Sequence, residues 1–376
     1  MLIKFIDFTS ESYLLMNNFR KQFPLLKQYT YLNTAASGLL SEDLLEFRQD
    51  HDLDFLISGS ILKENQGALL TDVRKAVGKF FHCPPNQVAL TPNFSYGFNI
   101  LLEGLEPGKK ILMLENDYPS INYAVEARDF KTCYAKIDEN LENNIAEVVK
   151  KETPDLFAFS LVQWINGIKI DFDFLKKLKQ DHPEMLIVAD GTQYCGTEEF
   201  NFEASGIDVL GSSTYKWMNA GYGNAFFLFK ESVPKVIHPK YTGFGSLQGK
   251  YKAEEGNFIG RFEPGHLDTL NFGSLLTAIN LIKKIGIREI EKAVKTLSAE
   301  AKEAFEKENL LEPEVSKRKE HSSLFNIKGD DALFQHLRSN NIICSQRGSG
   351  IRVSFHYFNT SEDLEKLLKA LRSYKK

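Results

Sequence analysis

No apolar run in this chain approaches the roughly 20 residues that a membrane-spanning helix needs. Cysteine is scarce as well. Its four thiols, Cys83, Cys133, Cys195 and Cys344, stand far apart, with no Cys-x-x-Cys pair and no histidine cluster beside them, so no disulfide framework and no metal site are expected. A strong charge of either sign is also missing. Lys and Arg number 46 against 50 Asp and Glu, and the short basic clusters Lys176-Lys177-Leu178-Lys179 and Lys317-Arg318-Lys319 have acids close by. Nucleic acid, whose binders carry a basic surface, is therefore not an expected partner, and neither is a membrane. In the opening Met1–Asp7 segment, Lys4 and Asp7 interrupt any apolar core of a signal peptide, which makes the cytoplasm the expected compartment. No internal repeat and no linker rich in Pro, Gly or Ser divides the chain.

What is present is an ordinary globular composition, 43% hydrophobic and 26% charged over 376 residues, a length that suits a large domain plus a smaller one. From Val88 to Phe229, short apolar runs such as Lys110–Leu114, Leu156–Ser160 and Ala225–Phe229 alternate with helical patterns. That alternation predicts an α/β fold with a mostly parallel sheet covered on both faces, its ligands beyond the carboxyl ends of the strands. After about Gly260 the pattern changes. Helices over Ser274–Ile285 and Arg288–Lys307, strands at Ser323–Ile327 and Ile351–Phe355, and a last helix over Ser361–Leu371 predict a smaller α+β domain.

Two positions carry chemistry. Leu186–Gln193 reads as a buried strand delivering Asp190 at its carboxyl end, and Ile207–Leu210 leads through a small-residue turn to Lys216. Taken singly, such a lysine is a solvated residue and such an Asp-Gly pair a turn. Together they suit pyridoxal 5'-phosphate (PLP): an amine condenses with the aldehyde while a carboxylate keeps the pyridine nitrogen protonated.

Asp190-Gly191-Thr192-Gln193, Ser213-Thr214-Tyr215-Lys216-Trp217 and the glycines Gly221 and Gly223 resemble the class-V aminotransferase family, which also contains cysteine desulfurases, kynureninase-like hydrolases and epimerases. The resemblance runs from about Tyr31 to the C-terminus. It implies a fold-type I PLP transferase: a large domain (residues 30–258) built on a seven-stranded type of sheet, and a small domain (259–376) on which residues 1–29 pack. It also implies a homodimer with the active site at the subunit interface.

Residue by residue, the resemblance implies a phosphate turn at Thr91–Asn99, with Phe94 and Ser95 where two threonines are common, and a ring from Tyr118 over the pyridine. It implies an amide to the phenolic O3' from Gln163, or from Asn166 as the alternative, and a second O3' contact from Gln193. Ser213 and Tyr215 complete the phosphate cup. At the substrate end Arg352 is the implied clamp for the α-carboxylate, with Arg347 as a second anchor and Ala36 in a small-residue loop lining the pocket. In Arg261-Phe262-Glu263-Pro264-Gly265-His266, His266 stands where the family has a threonine that reaches the partner subunit's cofactor phosphate. Phe94 and His266 are departures from the family pattern. The expected activity is aminotransferase-type, acting on an amino acid or related amine. The alternatives are a desulfurase or selenocysteine lyase, an epimerase, a kynureninase-like lyase, or a non-catalytic binding or regulatory protein on the same fold. Cys344 lies in a strand-like run rather than on a loop, which counts against a desulfurase.

Overall fold

The computed structural model describes residues 18–248 and 258–374. The expected docking of residues 1–29 on the small domain lies in large part outside them. From Asn18 onward the contacts are nonetheless clear. Phe23 packs on Tyr357 and Phe358, Arg20 pairs with Asp363 at 2.9 Å, and Thr30–Tyr31 runs parallel to Ile342–Ile343.

Seven strands form the central sheet: β1 (Val88–Thr91), β2 (Lys110–Leu114), β3 (Lys131–Ala135), β4 (Leu156–Ser160), β5 (Leu186–Asp190), β6 (Val209–Ser213) and β7 (Ala225–Phe229). Their order is β1-β7-β6-β5-β4-β2-β3. β7 runs antiparallel to both of its neighbours, β1 and β6, and every other pairing is parallel. Six strands therefore point the same way and end on one edge. Side chains alternate between the faces with the period of a strand. Leu90, Leu112, Phe157, Phe159, Ile187 and Phe226 fall into one core, while Ala89, Ile111, Met113, Val188, Phe227 and Phe229 fall into a second on the other face. Both faces are buried, so these strands are near-continuous hydrophobic runs.

The large-domain helices are α1 (Glu42–Ser58), α2 (Gln66–Phe81), α3 (Phe94–Glu103), α4 (Pro119–Glu126), α5 (Leu141–Glu152) and α6 (Phe172–Asp181). Short polar residues start several of them: Ser41 caps α1, Asn93 caps α3 and Asp171 caps α6, each accepting a backbone N–H from the first turn. After 258 come α7 (Thr269–Ile285) and α8 (Ile287–Lys307), the antiparallel sheet of β8 (Leu324–Lys328), β9 (Ser345–Arg347) and β10 (Gly350–Ser354), and the helices α9 (Asp331–Ser339) and α10 (Ser361–Tyr374). α7 does not join that sheet. It packs on α1 and α2, and the short helix Phe258–Phe262 packs on β1. Gly273 permits this closeness, because a Cβ there would come within 2.2 Å of the Phe47 ring. α7 ends at Gly286, whose φ of 91° separates it from α8. Among the described residues no helix is long and apolar enough to cross a membrane.

Candidate active site

The shared edge of the sheet opens on a cleft of about 380 Å³, and each wall begins at a strand end. After β1, Asn93 Oδ1 accepts the Tyr96 N–H at 2.9 Å and so caps α3. Ser95 is thereby left free of the capping role, and its hydroxyl meets Ser120 Oγ at 2.6 Å. Phe94 donates its backbone N–H to Ser213 Oγ at 2.9 Å. Its ring turns into the core, stacked on Phe98 at 5.3 Å and on Phe227 at 5.6 Å. Only its backbone faces the site.

After β2, Asp117 is buried and accepts the N–H groups of Tyr118 and Ser160, both at 2.7 Å. Those bonds tie the Tyr118 loop to the end of β4. Burial, only partly offset by these bonds, raises the Asp117 carboxyl above its ordinary value. Tyr118 then presents its ring 5.5 Å from Lys216 Nζ and meets Trp164 edge-on at 5.7 Å.

Asp190 closes β5, with Oδ1 accepting the Thr192 N–H at 2.8 Å. Thr192 Oγ1 in turn accepts the Ser213 N–H at 3.0 Å. Lys216 follows β6, is 5% exposed, and sits 5.6 Å from the Tyr215 ring. Gly38 braces its turn from outside: its N–H donates to Tyr215 O at 2.8 Å, and a Cβ there would fall 2.1 Å from Lys216 O. Burial pushes Asp190 up to about 6 even though the lysine charge pulls it back. Burial likewise pushes Lys216 down to about 7 against the pull of Asp190, with Arg352 and Arg347 adding to the fall. Burial thus favours the neutral form of each partner, which leaves the amine more nucleophilic than a solvated lysine.

A pH dependence follows. On the expected attachment of PLP at Lys216, the protonated amine cannot attack the aldehyde, so uptake of PLP by the cofactor-free protein should rise through about pH 7 and level off above it. Growth of the visible band after mixing, followed across pH, measures this. A midpoint near the ~10.4 of free lysine would show that Lys216 is not desolvated.

β10 carries Arg352, which is 3% exposed. One of its Nη atoms donates to Trp164 O at 2.7 Å, while its Nε has no partner. No carboxylate pairs with it among the described residues. Burial, with Arg347 nearby, lowers it to about 10, so it stays charged at neutral pH. A buried guanidinium without an anion is costly unless a ligand supplies one. The Trp164 indole N–H, in the cleft wall, has no partner either.

Several expected contacts are already engaged within the protein. Gln163 Oε1 accepts the N–H groups of Ile165 and Asn166 at 2.6 and 2.8 Å, which turns its amide into its own loop. Asn166 Oδ1 accepts the Ile168 N–H at 3.1 Å. These two line a neighbouring cavity rather than the cleft. Gln193 does line the cleft, but its Nε2 donates to Ala35 O at 2.9 Å and its Oε1 accepts from Trp217 Nε1 at 2.8 Å. Ser213 and Tyr215 line it too, and Tyr215 stacks on Tyr222 at 4.6 Å. Ala36 sits in the turn beside Ala35, its N–H donating to Asn33 O at 2.9 Å. Arg347 is exposed at the hairpin tip. His266 is exposed as well, against Phe244, and lines no part of this chain's cleft. Trp164, Asp117 and Thr192 were not among the expected residues. Trp164 lies beside Gln163, whose amide was the expected contact.

The class-V aminotransferase model matches residues 31–367. The chain belongs to the class-V aminotransferase family. An uncharacterized aminotransferase of Bacillus subtilis (strain 168), YcbU, is 23% identical over 93% of this chain and 95% of its own length. A probable cysteine desulfurase of Methanothermobacter thermautotrophicus is 22% identical over 93% of this chain and 95% of its own. Among solved structures, a mutant of C-DES with glycine covalently linked to its PLP cofactor superposes with a TM-score of 0.84 at 21% identity, covering 94% of this chain and 98% of that one. Such a superposition shows the fold-type I architecture.

Class-V aminotransferases are PLP-dependent enzymes, and the cleft fits that cofactor. It holds a buried lysine beside a buried acid and a ring facing the amine. Its polar helix start brings together Ser95, Ser213 and backbone N–H groups, as a phosphate requires.

Proposed function

We propose that this class-V enzyme attaches PLP through Lys216 and transfers the amino group of an amino acid to a keto acid. The observation that carries the proposal is the buried Lys216–Asp190 pair in one cleft, close enough to Arg352 for its charge to act on the lysine, while Arg352 itself has no anion. When bound, PLP draws electron density from the substrate α-carbon. Asp190 holds the proton on the ring nitrogen, and Lys216 Nζ moves the proton at the α-carbon. Ser95, Ser213 and the first turn of α3 hold the phosphate, and Tyr118 covers the ring. Arg352 takes the α-carboxylate through its unspent N–H donors, fixing orientation as well as affinity.

The same protein is offered amino acids one at a time with a keto acid acceptor, and both new amino acid and new keto acid are assayed. Paired formation supports transamination. Pyruvate with sulfide from cysteine, or with a persulfide from cystine, and no new amino acid, would assign a lyase instead. A persulfide route through Cys344 has little support. The thiol is 7% exposed within the core, and burial pushes it up to about 12, so it holds no thiolate at neutral pH. Cys344→Ser should therefore keep kcat within about twofold and cost about 1 kcal/mol of stability for the buried hydroxyl. Sulfide release that vanishes with this variant would reverse the assignment.

The proposed assembly is a homodimer in the cytoplasm. Phe55, Leu56, Ile57 and Ile61 lie exposed at 59%, 81%, 74% and 61% around the end of α1, a patch that suits a second copy. The exposed His266 would then have a partner cofactor phosphate within its reach. All four cysteines are free, as suits a reducing compartment.

A further inference from the structure

His356 follows β10 in the small domain, yet it touches the residue next to the lysine. Its side chain is 1% exposed, and its Nε2 lies 2.7 Å from Trp217 O. A carbonyl oxygen only accepts, so Nε2 carries the hydrogen and Nδ1 is a bare acceptor. That Nδ1 is buried with no partner. The imidazole is neutral at any physiological pH, since burial lowers it to about 3. A site selected for packing alone would favour Phe here, which fills the volume and strands no acceptor.

The geometry gives the imidazole a different task. Its ring meets the Trp217 indole edge to face at 5.2 Å, and the indole N–H is held by Gln193 Oε1 at 2.8 Å. Trp217 is thus held at its carbonyl, its ring and its N–H. The turn it belongs to is closed by Asn219 N–H to Lys216 O and Ala220 N–H to Thr214 O, both at 3.2 Å. His356 is itself anchored on the small-domain side. Its N–H donates to Asn359 Oδ1 at 2.8 Å, and Asn359 Nδ2 donates to Tyr31 O at 2.9 Å.

We propose that His356 is a positioning residue: its Nε2–H holds the Trp217 carbonyl and so sets the lysine turn from the small domain. The inference rests on the assignment of Lys216 as the cofactor lysine. Without that bond the turn loses its fixed register with respect to Asp190 and Tyr118, and the amine visits the reacting position for less of the time.

Two variants separate positioning from packing. His356→Phe keeps a ring and removes the donor, whereas His356→Gln retains an N–H donor. In folded protein, His356→Phe should lower kcat about tenfold while KM changes less than about twofold. Amide exchange of the 214–220 segment, measured by mass spectrometry with and without PLP, should speed up about tenfold. His356→Gln should recover most of both losses. Wild-type kcat and exchange in His356→Phe, or equal damage in His356→Gln and His356→Phe, would overturn the proposal. Should His356→Phe not accumulate as folded protein, His356→Leu is compared with His356→Gln by the same readouts. A wild-type protein that shows no visible PLP band would instead overturn the assignment of Lys216.

Discussion

Lys216→Ala is expected to abolish the visible band of enzyme-bound PLP and to lower turnover by roughly 10³-fold or more, because it removes both the attachment point and the base. The size of the effect follows from position. Lys216 sits at 5% exposure between Tyr118 and Tyr215, and no second lysine lines the cleft. Fold loss is separable from loss of chemistry. A buried amine costs stability whenever it is charged, so the cofactor-free variant should melt no lower than cofactor-free wild type near neutral pH. A variant that keeps the band and most of its turnover would remove Lys216 from the mechanism.

Asp190→Asn should retain PLP but lose about 10²–10³-fold in kcat. The amide oxygen can still accept the Thr192 N–H that Asp190 Oδ1 accepts at 2.8 Å, so local structure is preserved. What disappears is the negative charge. An amide cannot hold the ring nitrogen protonated, and the attraction that raises the lysine's affinity for protons goes with it. The amine of the variant should therefore titrate lower still, and PLP uptake should reach its plateau at a lower pH than in wild type. PLP content after alkaline release, set beside kcat, measures the split. Full turnover with a full cofactor load would contradict the assigned role.

The framework of this site was legible in the sequence because it depends on strand ends. A short continuous apolar run marked Leu186–Asp190 as a buried strand, and a parallel sheet places its ligands at carboxyl ends, so Asp190 and Lys216 could be paired from the sequence. Which polar groups stay free after folding was not legible. Gln163 and Gln193 both have the amide that O3' calls for, yet in the fold one engages its own loop and the other bridges Ala35 and Trp217. Trp164 is left with the unpartnered N–H instead. Such facts depend on tertiary neighbours that no local pattern encodes. The same holds for α7, whose helical period was plain although its packing partners α1 and α2 were not, and for His356, which meets Trp217 across a separation of 139 residues.

Reduction of the PLP-loaded protein with borohydride, followed by proteolysis and mass spectrometry, tests the central claim most directly. Reduction makes the cofactor linkage permanent wherever it exists. The expected result is a single phosphopyridoxyl modification on the peptide that contains Tyr215-Lys216-Trp217. The modification on any other lysine, or on none, would contradict it.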